Sequence, residues 1–297
     1  MKILNFGSLN LDYVYSVDHF AAPGETIKCA DLKTFCGGKG LNQSIALARA
    51  GAAVFHAGFI GANGAVLKNT LTADGVDTSL VRDTDGPDGH AIIQVNSAGE
   101  NNIIVYGGAN RALTPEFINE AADALCEGDI VLMQNETNLT DEIARRGAER
   151  GAKIALNPSP IDSWLMENFP FHLVSYFILN EIEGAALTKE TEPDRITSRL
   201  LSRFPNAAII LTLGERGAIY RDKAQRVYQP AYPARVVDTT AAGDTFAGFF
   251  LACVSNGQTA AVSLSLAAAA AAMAVALKGA ADSIPNIRAV LDEHWKL

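Results

Sequence analysis

Along most of the chain, short apolar runs alternate with longer segments in which apolar residues recur at helical spacing. The runs at residues 54–60, 129–133, 153–156, 177–179 and 208–213 read as strands, with helices between them. The opening string Met1-Lys2-Ile3-Leu4-Asn5-Phe6-Gly7 reads as a first buried strand. Strands that are apolar throughout, rather than at every second position, are buried on both faces, so the pattern predicts an α/β fold with a mostly parallel sheet covered by helices. Ligands then gather where strands end and loops begin, at Asn157-Pro158, Asn180-Glu181 and Leu213-Gly214.

Two regions depart from this rhythm. Residues 13–35 and 89–106 alternate with a period of two, as in hairpins, and Ser97-Ala98-Gly99-Glu100 supplies a turn. They predict a small sheet standing off the main body. Residues 260–277 carry no charge and approach membrane-spanning length, but alanine dominates and Ser263 and Ser265 interrupt the run, so a buried helix is expected. No repeat, low-complexity linker or second boundary appears, and residues 1–297 are expected to form a single domain.

Composition narrows the class of function. A chain of 297 residues, 48% of them hydrophobic, can bury a large core without disulfides. Cys29, Cys36, Cys126 and Cys253 are scattered, with no C-x-x-C pair, as expected for free thiols in a reducing compartment. No secretory signal is visible, so a cytoplasmic location is expected and three glycosylation sequons carry no consequence. The net charge of −9 argues against non-specific binding to nucleic acid or to an anionic membrane. Small-molecule chemistry is the expectation.

The chemistry concentrates in Asp238-Thr239-Thr240-Ala241-Ala242-Gly243-Asp244-Thr245-Phe246. Small residues at the start of a long apolar helix leave backbone N–H groups open to an anion. Asp244, beside such a seat, is better placed to take a proton than to hold phosphate. Taken alone, the string also fits an ordinary helix start. Gly37-Gly38-Lys39-Gly40 lacks both the upstream glycine and the hydroxyl residue after lysine that a Walker motif needs, and no G-x-G-x-x-G follows the first strand. None of the five histidines has metal-ligand spacing.

Several strings nevertheless occur in a telling order: Gly7-Ser8-Leu9-Asn10-Leu11-Asp12, Pro23-Gly24-Glu25-Thr26, Gly37-Gly38-Lys39-Gly40-Leu41-Asn42-Gln43, Asn180-Glu181-Ile182-Glu183, Thr212-Leu213-Gly214-Glu215-Arg216-Gly217 and the Asp238 string. In this the whole chain, including Gly99-Glu100-Asn101 and Gly108-Ala109-Asn110, resembles the ribokinase-like sugar kinases. The resemblance implies a three-layer α/β/α core with a small β-sheet lid, its segments at about 11–35 and 89–107. It implies transfer of phosphate from ATP, with Mg2+ and K+, to the primary hydroxyl of D-ribose, giving ribose 5-phosphate. Deoxyribose, fructose or nucleoside acceptors are the alternatives within the family, and a non-catalytic sugar-binding protein is the alternative outside it. An exposed edge in the small sheet would favour pairing into a homodimer through the lid.

The resemblance further assigns roles. Asp244 is the expected base, with the N–H groups of Ala241, Ala242, Gly243 and Asp244 as the anion hole. Asn10, Asp12, Gly38, Lys39, Asn42 and Glu136 form the expected sugar set. Asn180, Thr212, Gly214, Glu215, Arg216, Gly217 and Gly243 are expected around the nucleotide, and Glu183 supports Mg2+ mainly through water. Asp238 and Thr240, carbonyls near Ala274, Leu277 and Gly279, and the Ser283 hydroxyl match a potassium site. Two departures from the family pattern stand out: Cys36 replaces an aromatic or apolar residue, which would alter the wall of the sugar pocket, and Gly61-Ala62-Asn63-Gly64 is a shortened loop.

Overall fold

The computed structural model describes residues 1–294. The chain opens with β1 (Lys2–Phe6) and leaves into β2 (Asn10–Ser16) and β3 (Asp31–Gly37). It returns through α1 (Lys39–Arg49) to β4 (Ala53–Ile60), α2 (Ala65–Ala73) and β5 (Asp77–Asp83). A second excursion makes β6 (Gly89–Val95) and β7 (Asn101–Tyr106). Then follow α3 (Pro115–Asp123), β8 (Ile130–Gln134), α4 (Thr140–Glu149), β9 (Lys153–Asn157), α5 (Ser163–Asn168), β10 (Val174–Asn180), α6 (Glu181–Thr188), α7 (Pro193–Arg203) and β11 (Ala208–Thr212). Strands β12 (Ala218–Arg221) and β13 (Arg226–Gln229) precede α8 (Ala242–Ser255), α9 (Ala260–Ala274) and α10 (Ile287–His294).

The main sheet has nine strands in the order β13-β12-β11-β10-β9-β8-β1-β4-β5. Pairing is parallel from β5 to β11 and antiparallel for β12 and β13. Successive side chains of its central strands enter opposite cores: Ile3, Ile130 and Leu132 join the cluster with α1, α8 and α9, while Leu4, Val131 and Met133 join the cluster with α3, α4 and α7. Burial on both faces is why these strands are apolar throughout, and it makes the main body the three-layer α/β/α core. Helix α9 is the expected alanine-rich buried helix, with Leu264 and residues 266–270 packed inward. No helix among the described residues is long and apolar enough to cross a membrane.

The second sheet has the order β3-β2-β6-β7. Strand β2 pairs antiparallel with β3 and β6 with β7, as hairpins should, but β2 and β6 run parallel. Strands β5, β12 and β13 have no counterpart among the apolar runs. Strands β5 and β13 are the two edges of the sheet and are partly exposed, so they carry Asp77, Thr78 and Arg226 rather than unbroken hydrophobic stretches; β12, buried from Ala218 to Tyr220 between β11 and β13, is only four residues long and ends in Arg221. The short 61–64 loop is tied down by Asp88, whose carboxylate accepts the N–H groups of Gly61 at 2.6 Å and Asn63 at 2.8 Å. Cys36 lies on the face of β3 opposite Asp12 and packs towards α2, where the Thr70 hydroxyl is 3.4 Å from its sulfur. Its side chain therefore faces away from Asp12.

Candidate active site

Helix α8 begins with Ala241 in the left-handed region, φ 58°. A residue with a β-carbon held there costs about 1 kcal/mol, and the turn aims the first helical N–H groups outward. The Ala242 N–H is taken by the Thr239 carbonyl at 3.2 Å and that of Thr245 by the Ala241 carbonyl at 2.8 Å. Among the described residues, the N–H groups of Ala241, Gly243 and Asp244 have no hydrogen-bond partner. Three donors of the expected hole are therefore open, and that of Ala242 is occupied.

Asp244 is 8% exposed. Its Oδ2 accepts from Nδ2 of Asn42 at 3.0 Å and its Oδ1 from Nε2 of Gln43 at 2.9 Å. Both donors come from the N-terminal half of α1, which can approach α8 because of Gly248, where a β-carbon would lie 2.4 Å from that of Ala46. Asn42 was expected to contact sugar. Here its amide N–H is spent on Asp244, while its Oδ1 is buried without a partner.

In front of the helix start lies a cavity of about 200 Å3 lined by Lys39, Asn157, Asn180, Glu183, Thr212, Thr239, Ala241, Gly243 and Asp244, with Ile178 and Leu179. Asn157, Asn180 and Thr212 end β9, β10 and β11, the place where a parallel sheet presents ligand-binding loops. Asn180 and Glu183 also cap α6 reciprocally: Oδ1 of Asn180 accepts the Glu183 N–H and Oε2 of Glu183 accepts the Asn180 N–H, both at 2.9 Å. Burial acts to lower the Lys39 pKa, but the carboxylates of Asp244, Glu136 and Glu183 outweigh it and raise the pKa above the usual lysine value. The cavity thus holds a firmly cationic group.

Gly214, Glu215, Arg216 and Gly217 form the turn between β11 and β12 and do not line this cavity. Gly214 has φ 58°, and a β-carbon on Gly217 would lie 2.0 Å from the Gln229 carbonyl oxygen. Both glycines therefore serve the hairpin. Arg216 pairs with Glu181 at the head of α6, which fixes this turn beside the cavity.

On the other side of Asp244, Glu136 accepts from the Ser8 hydroxyl and, at 3.2 Å, from the Lys39 N–H at the start of α1. Gly38 precedes that helix with φ 96°, its α-carbon facing the Ser8 carbonyl too closely for a side chain. Burial raises the Glu136 pKa, with Asp244 adding to the effect and Lys39 and Ser8 opposing it. Asp12 is pushed up to about 7, mainly by burial and further by Glu136. Asn10 and Asp12 lie two apart on β2 and share a face. Oδ1 of Asn10 accepts from Nδ2 of Asn110 at 2.7 Å, and Asn110 also binds the Leu9 backbone.

Behind the helix start, Asp238 accepts from the Thr240 N–H and hydroxyl at 2.9 and 2.6 Å and from the Gly279 N–H at 3.0 Å. Burial would raise its pKa, but these donors and nearby Lys278 lower it. Asp238, Thr240 and Gly279 are therefore together. The Ser283 hydroxyl donates to the Ala280 carbonyl at 2.8 Å and the Ala274 carbonyl accepts the Leu277 N–H at 3.1 Å, so those groups are directed into their own turns.

The sequence gives no role to Gln43, Asn110, Gln134 or Asn5, whereas Asn157, expected at a ligand-binding strand end, does line the cavity. A signal was present for two of them: Asn5 and Gln134 interrupt otherwise apolar strands, and a buried polar residue in such a run needs a partner.

The chain matches the pfkB family carbohydrate kinases over residues 1–287. It is 34% identical to a ribokinase of Staphylococcus aureus, with 97% of this chain and 98% of the relative covered. A deoxyribokinase of Salmonella typhi is 31% identical, with 97% and 96% covered. The structure of Arabidopsis thaliana ribokinase complexed with ribose and ATP superposes with a TM-score of 0.86 at 29% identity, covering 99% of this chain and 98% of the other. With a site of this form and a match over nearly its whole length, the chain belongs to the pfkB family of carbohydrate kinases.

Proposed function

We propose that the protein transfers the γ-phosphoryl group of ATP to the primary hydroxyl of D-ribose, giving ribose 5-phosphate and ADP. The observation that carries this reading is the buried Asp244 carboxylate beside the open N–H groups of Gly243 and itself, on a cavity shared with Lys39. The sugar oxygen forms its bond to phosphorus as the bond to the β-phosphate oxygen breaks. The hydroxyl proton passes to Asp244, and ADP leaves with the electron pair. Because this transition state is loose, positioning and charge neutralisation carry most of the acceleration. Lys39 and the α8 N–H groups supply that neutralisation from the protein.

Asn10, Asp12 and Glu136, with Gly38 giving room, hold the sugar hydroxyls. Asn180 and Thr212 flank the nucleotide, and the 214–217 turn bounds it. Glu183 fits Mg2+ support: it lines the cavity with one carboxylate oxygen engaged in its helix cap. Among the described residues no three His, Cys, Asp or Glu side chains converge on one point, so the cation would keep water and phosphate as its main ligands and would neutralise charge on the latter. Asp238, Thr240 and backbone oxygens near residues 274–279 fit a weakly hydrated monovalent ion such as K+ through their oxygen donors. Residues 1–297 work as one domain, with the second sheet closing over the sugar. The exposed Ile103, Ile104, Val105 and Tyr106 of β7, and Leu32 on β3, suit a homodimer through that sheet. A cytoplasmic location accords with the ATP requirement and the free cysteines.

A second reading, deoxyribose as acceptor, is favoured by the similarity to the Salmonella typhi deoxyribokinase. An ADP-release assay over ribose, 2-deoxyribose, fructose and nucleosides separates the two. Ribose is expected to give the highest kcat/KM, by at least about tenfold over deoxyribose. Equal use of both sugars would overturn the assignment to ribose, and release of ADP with none would overturn the kinase reading.

A further inference from the structure

The hydrogen bonds reaching Asp244 continue into the body of the protein as a chain in which each donor has a single direction. Gln43 divides its amide N–H groups between Oδ1 of Asp244 at 2.9 Å and Oδ1 of Asn157 at 3.1 Å. Its own carbonyl oxygen accepts from Nε2 of Gln134 at 2.7 Å, and Gln134 gives its other N–H to Asn5 at 3.1 Å. Asn5 donates to the Gly40 carbonyl and to the Ser44 hydroxyl oxygen, both at 2.9 Å. Ser44 lies 2.8 Å from Nδ1 of His56, whose Nε2 is 3.1 Å from the Gly7 carbonyl oxygen.

All of Gln43, Gln134, Asn5, Ser44 and His56 are buried. The Gly7 carbonyl can only accept, so Nε2 of His56 carries the proton; burial holds the imidazole pKa down at about 4, leaving Nδ1 as an acceptor for the Ser44 hydroxyl. That fixes Ser44 as an acceptor from Asn5. The order propagates to Gln43, which must turn its N–H groups, and not its carbonyl, towards Asp244. A flipped Gln43 would set an amide oxygen against the carboxylate and its NH2 against the NH2 of Gln134. The direction of each donor along this buried chain favours one arrangement, with Oε1 of Gln134 left without a partner among the described residues.

We infer that Gln43 is a positioning residue for the phosphoryl transfer, holding the Asp244 carboxylate aimed at the sugar hydroxyl through the chain that ends at His56. This rests on Asp244 being the base, as proposed above. Asn42 holds the second carboxylate oxygen, so Gln43 controls rotation of the carboxylate plane rather than its presence in the site. The other charged groups acting on Asp244 are Lys39 from α1 and Glu136 from the loop after β8.

The test compares wild type, Asp244→Asn, Gln43→Leu and Gln43→Glu in steady state with ribose and ATP, across pH. Misplacement of a base by a fraction of an ångström costs rate far more than affinity. In Gln43→Leu, kcat is expected to fall roughly 10- to 100-fold while KM for ribose and for ATP stays within about threefold. Loss of a donor to the carboxylate raises the pKa of the base, and a second carboxylate raises it more. The acid limb of the kcat profile should therefore move to higher pH in Gln43→Leu and further in Gln43→Glu. A role in folding alone would lower the amount of active enzyme without moving that limb.

Folded Gln43 variants with wild-type kcat and an unmoved limb, beside an inactive Asp244→Asn, would overturn the inference and leave the kinase reading standing. Wild-type turnover in Asp244→Asn would overturn both. Should neither Gln43 variant fold, the side-chain amide signals of Gln43 in 15N-glutamine-labelled protein decide: they are expected to shift on Asp244→Asn, and unchanged signals refute the contact.

Discussion

A β-carbon on Gly37 would lie 1.9 Å from Oδ2 of Asp12. The missing side chain of β3 is thus the space in which the carboxylate of β2 rests. Gly37→Ala must push Asp12 aside while leaving the backbone of both strands able to pair. KM for ribose is expected to rise about tenfold, equivalent to ~1.4 kcal/mol, with KM for ATP unchanged and kcat within about threefold. Steady-state kinetics with each substrate varied will show this, and an unaltered ribose KM would mean that Asp12 does not touch the sugar.

Removing the base should separate chemistry from binding. Asp244→Asn keeps the shape of the side chain and can still meet Gln43, but it cannot take a proton. Turnover is expected to fall by roughly 10² to 10⁴ with the fold and ATP affinity preserved. Isothermal titration with ATP and an ADP-release assay on the same preparation provide the check, and near-normal turnover is the outcome that defeats the assignment.

Stability should carry the imprint of Asp12. Its carboxyl has an ordinary value of 3.8 in the open chain and about 7 in the folded protein. The folded state therefore holds a proton that the unfolded state has released, so stability is highest below the lower value and declines as pH rises through about 7, by at most about 1.4 kcal/mol per pH unit. Asp12→Asn mimics the protonated form and lacks this slope. Urea midpoints of the two proteins should agree near pH 4 and diverge by pH 7.5 with the variant the more stable; parallel midpoints across that range would contradict the burial argument.

The potassium site proposed behind α8 can be tested by its salt dependence. Asp238 gathers Thr240 and Gly279 at the residues that lead into the anion hole, so an ion held there is coupled to the turn at Ala241. At constant Mg2+, replacing Na+ by K+ is expected to increase kcat, and Asp238→Ala to abolish most of the increase. Identical rates in the two salts for wild type would show that the site is not used.

What the sequence disclosed followed burial. Strands β1, β8 and β11, covered on both faces, were visible as apolar runs; β5 and β13 at the edges were not, because a half-solvated strand needs no such run, and β12, though buried, is only four residues long. The hairpins of the second sheet could be read from alternation, but the parallel contact between β2 and β6 could not, since nothing local records it. At the site, Asp244 and Lys39 lie in glycine-rich strings that mark close backbone approach. Gln43 lies in the same string but its purpose depends on Gln134 and Asn5, brought in from distant strands. Gly214 and Gly217 also stand out in the sequence as glycines, and their positive φ angles show that the turn between β11 and β12 requires them.

The parallel pairing of β2 with β6 has a consequence for how the molecule is assembled. Each hairpin leaves the main sheet separately, so the two cannot meet through a short local connection as neighbouring antiparallel strands do. Their seam, from Asn10 opposite Gly89 to Ser16 opposite Val95, is closed only after β1, β4 and β5 have placed both departure points side by side, with Asn110 bridging to Leu9 and Asn10 at the root. The second sheet is therefore expected to close late in folding and to open early, with amide hydrogens along the seam exchanging through openings that leave β1 and β8 intact. It also cannot be excised and grafted as one continuous piece: the sheet proposed to meet the sugar depends for its assembly on the core that carries Asp244.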